Sequence, residues 1–421
     1  MTAVAVVGAG ISGLVAALRL VEAGCRVTVF ESGTRVGGKL RSETIGGVRL
    51  DVGAEAFLRR RPEVVDLATE LGLADQLVEP VGRRPAVFAD GAVRGHLGRT
   101  LMGIPADADE VRIPLRWNAG ADTSLGALVR SRLGDEVVER SVDPMVSGVF
   151  AAHADDVSVR AALPALAARL DEGAPSLGTA VTDVLGEPSD EPVFGAFRGG
   201  YQQLLDALTE KLGDRIVLGA PVPEVRPKWS LRGSMFDAVV LAVPAPQVAR
   251  LVGLNLPELG DAVSRIPAAS SALVTMRLPE TTPLPDLSGV LVATREQVSA
   301  KAFTLSGRKW AHLPGGAVRL SFGRLGVSRI VDDLDAGLIG AAREDLANVF
   351  GITDEPEAVH VQRWYEGIPV YLPGHRDTLT AIDEATPAGM ALAGAYFDGV
   401  GVPACIARAE SAVQKVLADL S

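Results

Sequence analysis

The sequence predicts an α/β fold built on a Rossmann-type, doubly wound parallel sheet, joined to a mixed-sheet domain and a helical lobe. Three observations predict it. Residues 3–7, AVAVV, are a continuous apolar run, as a parallel strand buried on both faces requires. Gly8-Ala9-Gly10-Ile11-Ser12-Gly13 follows at once and opens an apolar helical stretch that ends at Gly24. Text of the same strand–glycine–helix kind returns near 196–250 and again after 388. One discontinuous domain with other segments inserted explains this better than domains in series. The expected division is 1–55, 196–265 and 388–421 for a nucleotide-binding domain, 56–95 and 266–387 for a substrate-binding domain, and 96–195 for the helical lobe. A chain of 421 residues is long enough for two or three domains.

Taken in order, CRVTVFE (25–31) is the second parallel strand and completes one βαβ unit. Residues 62–78 read as a helix with Pro62 at its start. Residues 82–95 read as a hairpin turning at Asp90-Gly91. From about 100 to 185 the text is helical, rich in Ala, Leu, Arg and Asp, and broken at Pro105, Pro114, Pro144, Pro164 and Pro175. Gly199-Gly200 opens a helix over 201–213, and strands follow at 215–222 and 235–244. Residues 269–278, 289–293, 300–305 and 317–323 alternate as strands of a mixed sheet, and 329–350 is a long helix. The segment 390–421 reads as a strand, a glycine-rich turn and a helix.

Composition excludes several classes. Forty-one basic and fifty-two acidic side chains leave a net charge of −11, with no basic stripe, so nucleic acid is not an expected partner. The basic residues are 35 Arg and 6 Lys, a skew that points to GC-rich coding rather than to mechanism. Two cysteines, Cys25 and Cys405, build neither a disulfide framework nor a multi-cysteine metal site. The five histidines (His96, His153, His312, His360 and His375) show no metal-binding spacing, and no metal is expected. The first residues carry no basic stretch typical of a leader, and no uncharged apolar window is long enough to span a bilayer. Mean hydropathy of +0.24 leaves room for an exposed apolar patch.

The chemistry concentrates in four segments. In the first, Gly8 allows a tight turn, Gly10 lets a pyrophosphate approach the backbone, and Gly13 lets helix and strand pack closely. Ile11 and Ser12 begin the helix whose free N–H groups face the phosphates. Glu31 ends the second strand, 18 residues after Gly13, where an acid takes ribose hydroxyls. The second segment is Ser32-Gly33-Thr34-Arg35-Val36-Gly37-Gly38-Lys39, in which two adjacent glycines admit another close approach and Arg35 and Lys39 offset phosphate charge. The third is Asp51-Val52-Gly53-Ala54-Glu55-Ala56-Phe57. The fourth is Ala393-Gly394-Ala395-Tyr396-Phe397-Asp398-Gly399-Val400-Gly401-Val402-Pro403, whose glycines precede a helix. Backbone N–H groups at that helix start can stabilise negative charge.

The second segment resembles the RxGGR extension of flavoproteins with two dinucleotide-type domains. The third resembles the D-x-G-A/G stretch that runs along the isoalloxazine in their amine-oxidase-like branch. Together with SVDPMVSGVFAAHADDVSVRAALPAL (141–166), FRGGYQQLLDALTEKL (197–212), DAVVLAVPAP (237–246), SAKAFTLSGRKWAHL (299–313), VQRW (361–364) and LPGHRDTL (372–379), they make the chain similar to the oxygen-dependent porphyrinogen oxidases, nearly end to end. That resemblance implies one non-covalent FAD, held by Gly8, Gly10, Ile11, Ser12, Gly13, Glu31, Ser32, Arg35, Gly37, Gly38, Lys39, Gly53, Ala54, Glu55, Ala56, Gly394, Gly399, Val400, Gly401 and Val402. It also implies that Val222 binds adenine through its backbone and that Trp364 lies by the flavin.

The implied reaction is six-electron aromatisation of a porphyrinogen by dioxygen with release of hydrogen peroxide, as in haem biosynthesis. It needs no side-chain base, and no catalytic side chain is assigned. Anionic propionates call for cations, for which Arg59, Arg60, Lys301 and Lys309 are candidates, beside Arg61 and Arg308. Coproporphyrinogen III is the favoured substrate, with protoporphyrinogen IX as the alternative. An inactive flavin-binding scaffold is the rival of another class. The implied location is cytoplasmic, with membrane contact at most peripheral, and a downstream haem-pathway enzyme is a candidate partner.

Overall fold

The computed structural model describes residues 1–421 except 96–97, 107–116, 189–190 and 328. Its centre is a five-stranded parallel sheet in the order Ile216–Val217, Arg26–Phe30, Ala3–Val7, Ala238–Leu241, Met390–Leu392. Every residue of the first strand is buried. Alternation sends Val4 and Val6 into one apolar layer, with Leu14, Leu18 and Ile406 from the N- and C-terminal helices. Ala5 and Val7 enter the opposite layer, against Val248 and Leu251. A strand covered on both faces must be apolar throughout, which is why AVAVV does not alternate in sequence.

The first strand has its sequence neighbour on one side and Ala238–Leu241 on the other. The strand order therefore reverses at its carboxyl end, where open α/β sheets bind ligands. Gly8 turns the chain there at φ +101°, and a Cβ at that position would stand 2.6 Å from the Ala242 carbonyl oxygen. The helix Ile11–Glu22 starts at once and ends before Gly24.

A second sheet has seven strands, ordered Ala358–Pro369, Ala268–Arg277, Ala317–Phe322, Ala302–Thr304, Gly289–Val292, Ala86–Ala89, Ala92–Gly95. Its pairings are antiparallel except Gly289–Val292 with Ala86–Ala89. The helix Asp335–Phe350 covers one face through Leu338, Ala342 and Leu346, against Val274, Val318 and Leu320. The other face carries Arg319 and Trp364 towards the backbone at 52–53, just after the strand Val48–Asp51. Helices between Leu125 and Leu185 form a third cluster, whose core includes Ala269, Val370 and Tyr371 of the second sheet's end. Pro164 stands in the first turn of its helix, where a missing N–H costs nothing, and Pro144 follows the π-helical turn Val138–Val142.

Several elements differ from expectation. The stretch 62–78 is helical only over Glu63–Glu70, because the chain turns at Gly72, φ +73°. It then makes a short 3-10 turn and pairs at Leu77–Val78. The stretch 215–222 pairs only at Ile216–Val217, and the long helix begins at Asp335 rather than 329. The region from 100 opens with paired strands, Thr100–Leu101 and Ile104–Pro105, before its first helix at Leu125. Pro114 and His96 lie outside the described residues. The twelve-residue strand Ala358–Pro369 was not expected at all.

Gly13 gives the fold its first test. A Cβ at Gly13 would lie 1.9 Å from the Gly8 carbonyl oxygen and 3.3 Å from the Ala242 Cβ. Gly13→Ala must push the helix off the sheet and should cost at least about 1–3 kcal/mol. Chemical denaturation of the apo-protein measures it, and unchanged stability would show that the close approach is not real.

Candidate functional site

The site forms where loops from both sheets converge. Gly10 caps the N-terminal helix at φ −72°, with no side-chain cap. A Cβ at Gly10 would meet nothing within 4 Å, so space above it is open. Gly37 lies beside it in a parallel bridge, its N–H donating to the Ala9 carbonyl at 2.8 Å. A Cβ on Gly38 would come within 3.3 Å of the Gly10 Cα. Gly401 caps the C-terminal helix Val402–Leu420, also without a side-chain cap. The two helix starts are neighbours, joined by the Ser12 hydroxyl donating to the Cys405 carbonyl at 3.1 Å. Two uncapped helix N-termini side by side concentrate free N–H groups and positive potential. Gly394 and Gly399, at φ +149° and +139°, shape the loop before the second helix, and Val400 packs against the helical lobe.

Glu31 stands at the end of its strand. Its carboxylate accepts from the Ala9 N–H at 2.8 Å and the Gly33 N–H at 2.7 Å, with the Ser32 hydroxyl at 3.3 Å. The chain at 217–220 runs alongside, through the Ala220 N–H to the Glu31 carbonyl at 2.8 Å, which brings the half-buried Val222 to the same end of the sheet. The Arg35 guanidinium touches only carbonyls of its own loop, Val36 at 3.2 Å and Gly38 at 3.5 Å, and has no carboxylate partner among the described residues. Burial, and then Arg41, lower its pKa.

Lys39 ties the glycine-rich loop to the second sheet. Its ammonium donates to the Gly367 carbonyl on the second sheet, and burial lowers its pKa. The Lys39 backbone also sits against Gly53: a Cβ there would lie 1.9 Å from the Lys39 carbonyl oxygen and 3.3 Å from Trp364 Cζ2. The Ala54 N–H donates to that Lys39 carbonyl at 3.2 Å, and Trp364 Nε1 donates to the Val52 carbonyl at 3.3 Å. Trp364 therefore lies on the 52–54 loop. Ala56 follows, half-buried.

Glu55 ends this loop in a buried ion cluster. Its carboxylate takes the Lys309 ammonium at 3.2 Å, the Arg319 guanidinium at 3.3 Å and the Ser306 hydroxyl. Arg319 also donates to the Gly53 carbonyl at 2.6 Å. Lys309, a candidate for propionates, thus serves Glu55 instead. Arg59 pairs with Glu79 at 2.9 Å, Arg61 with Glu63, and Arg308 donates to the Leu284 carbonyl at 3.2 Å. Arg60 is exposed. Lys301 is buried, its ammonium 2.9 Å from the Gly323 carbonyl. Sequence reasoning missed Arg319. Its signal was a lone charge inside the apolar strand AVRLSF, where an unpaired arginine would be costly.

The family model for flavin containing amine oxidoreductases matches residues 11–417. The chain belongs to this family. Among curated relatives, it is 43% identical to the "Coproporphyrinogen III oxidase" of Mycobacterium bovis, over 99% of this chain and 97% of that one. It is 27% identical to "Protoporphyrinogen oxidase 2, chloroplastic/mitochondrial" of Arabidopsis thaliana, over 99% and 94%. The crystal structure of a "Putative protoporphyrinogen oxidase" from Exiguobacterium sp. 255-15 superposes with a TM-score of 0.85 at 28% identity, covering 100% and 99%.

This flavin oxidoreductase carries a site that fits its family's cofactor. Paired uncapped helix starts, the open space over Gly10 and an Arg35 without a carboxylate suit a pyrophosphate. Glu31 suits a sugar hydroxyl. The surface of Gly53, Ala54 and Trp364 suits a flat ring. Among the described residues no group of side chains could hold a metal ion, and no helix is long and apolar enough to cross a membrane.

Glu55 is the electrostatic keystone of the flavoenzyme. Burial alone would raise its pKa, but Lys309 and Arg319, with Ser306 donating, hold it well below the usual carboxylate range. Its stabilising contribution is therefore full above the unfolded-state value of about 4.3 and is lost as pH falls through the lowered folded value. Glu55→Gln leaves two buried cations without their carboxylate and should cost about 3–5 kcal/mol. Urea titrations from pH 7 down to pH 3 check both points: the variant should be weaker at neutrality and show a shallower acid decline.

Proposed function

We propose that this flavoenzyme oxidises coproporphyrinogen III to coproporphyrin III, using one non-covalently bound FAD and dioxygen, with hydrogen peroxide as co-product. The observation that carries the reading is the 43% identity, sustained over 99% of the chain, to a protein named coproporphyrinogen III oxidase. Conversion of the hexahydro macrocycle removes six electrons and six protons in three equal steps. Each step reduces one dioxygen to one hydrogen peroxide, so atoms and electrons balance without a further acceptor.

When bound, the flavin supplies the hydride-accepting and oxygen-reactive ring. The chain's own residues bind and orient. Gly8, Gly10 and Gly13 with the start of the helix Ile11–Glu22 hold the pyrophosphate, and Glu31 holds the ribose. Gly37 and Gly38 give the second close approach, while Lys39 ties that loop to the second sheet. The 53–56 loop and Trp364 carry the ring, with Arg319 and Glu55 fixing the loop from behind. Val400, Gly401 and Val402, at the C-terminal helix start, present N–H groups where negative charge gathers. The segments 1–55, 196–265 and 388–421 are then the cofactor domain, 56–95 and 266–387 the substrate domain, and 96–195 the lobe, with any membrane contact peripheral.

Aerobic turnover tests the reading. The ratio of kcat/KM should favour coproporphyrinogen III over protoporphyrinogen IX, because each additional carboxylate that meets a cation contributes about 1.5–3 kcal/mol before desolvation. Porphyrin fluorescence and peroxide release are the measurements, and preference for protoporphyrinogen IX reverses the substrate assignment.

Glu31→Gln should weaken FAD binding about ten- to hundredfold, since one charge-assisted acceptor is lost. Folding should survive, because the Gly37 N–H to the Ala9 carbonyl and the Gly8 N–H to the Phe30 carbonyl still hold the turn. Calorimetric titration of apo-protein decides it, and denatured wild type should release all its flavin to the supernatant. An unchanged dissociation constant would remove Glu31 from the ribose.

A further inference from the structure

Buried charges without an opposite charge are costly, and a folded chain that keeps two of them together keeps them for a ligand or a contact. Such a pair lies where the helical lobe meets the second sheet. Lys301 is only 2% exposed, and its ammonium has one hydrogen-bond partner, the Gly323 carbonyl at 2.9 Å. Arg324, the residue after that carbonyl, is half-buried, and its Nε donates to the Ser147 hydroxyl of the helix Asp143–Phe150 at 2.7 Å. Neither forms an ion pair among the described residues. The acid facing them is Asp143, but its oxygens are occupied by the Ala154 N–H at 2.6 Å, His153 Nδ1 at 3.2 Å and the Thr294 hydroxyl. Burial, and then the Arg324 charge, bring Lys301 down to about 7. Burial lowers Arg324 as well, against the pull of Asp143.

The position of this pair relative to the flavin-lining loop follows from strand register. A Cβ on Gly323 would come 2.6 Å from the Ser270 carbonyl oxygen and 3.3 Å from the Ser271 Cα. Ser271 is itself the register partner of Trp364. Gly323 therefore stands two strands from Trp364, about 10 Å across the sheet. On its other side, Leu325 packs into the core of the lobe together with Val400, its N–H donating to the Ala151 carbonyl at 2.7 Å. The cations thus stand where the lobe meets the second sheet, two strands from Trp364.

We propose that Arg324, backed by Lys301, is a carboxylate-binding site that receives one propionate of the tetrapyrrole. The proposal rests on the functional reading above. With Nε committed to Ser147, the two terminal nitrogens of Arg324 keep the planar fork that matches a carboxylate. Lys301, beneath Gly323, adds a second charge without touching the ligand. A propionate completes the missing charge partner of both. It also fixes the macrocycle between sheet and lobe, at an arm's length from the ring-carrying surface.

Binding of coproporphyrin III to the FAD-loaded protein, read by porphyrin fluorescence, tests this without turnover. Arg324→Gln should raise the dissociation constant about ten- to hundredfold, with flavin absorbance and melting temperature unchanged. Arg324→Lys, which keeps the charge, should lie closer to the wild type than to the glutamine variant. Lys301→Met, which fills the same volume without charge, should weaken binding at least threefold. It decides the matter if Arg324→Gln does not fold. Wild-type binding with both variants within twofold of it overturns the site and leaves the functional reading standing. A wild type that binds no tetrapyrrole overturns both.

Discussion

One buried carboxylate joins its own loop to a helix and a strand about 250 residues further along the chain. Glu55 belongs to the loop that follows the strand Val48–Asp51, Ser306 and Lys309 to a short helix, and Arg319 to the second sheet. Its partners outnumber it in charge, so the cluster stays ionised although it is almost dry. Arg319 spends its other arm on the Gly53 carbonyl and so passes the position of the second sheet directly to the backbone of that loop. Lys39 repeats the arrangement from the opposite direction, reaching from the glycine-rich loop to Gly367. The loop around Gly53 is fixed by charge on one side and by the Trp364 indole on the other.

Much of the candidate cofactor site was legible in the sequence because its geometry is local. Gly8, Gly10 and Gly13 act through their own backbone and immediate neighbours, so spacing alone reveals them. Glu31 is legible for the same reason, since it ends the strand that the first helix returns to. The side chains of Lys39, Lys301 and Lys309 were legible only as charges. Which partner each takes depends on strands that meet through tertiary structure, and nothing near them in sequence names Gly367, Gly323 or Glu55.

The fold shows the same division. Strands buried on both faces were found because their apolar runs are unbroken. The strand Ala358–Pro369 was not, since most of its residues are only half-buried and no alternation marks it. Its place is set instead by pairing with Ala268–Arg277, a contact between segments almost a hundred residues apart. The 62–78 stretch failed differently: its apolar pattern continues past Gly72, but the backbone there is left-handed and the pattern passes from a helix to a paired strand.

The order of strands in the first sheet has a consequence for how the protein comes into being. Ala3–Val7 is synthesised hundreds of residues before the edge strand Met390–Leu392 and the helix Val402–Leu420 that shields its neighbours. The glycine-rich turn alone can offer one helix start to a phosphate. The second helix start, and the carbonyl of Cys405 that holds Ser12, do not exist until the chain has been made through that helix. Assembly of the cradle therefore waits for the last of these segments. Until that helix arrives, the apolar flank of Leu14, Val15 and Leu18 lacks the surface that covers it in the finished fold, and uncovered apolar surface is what makes partly folded chains prone to associate.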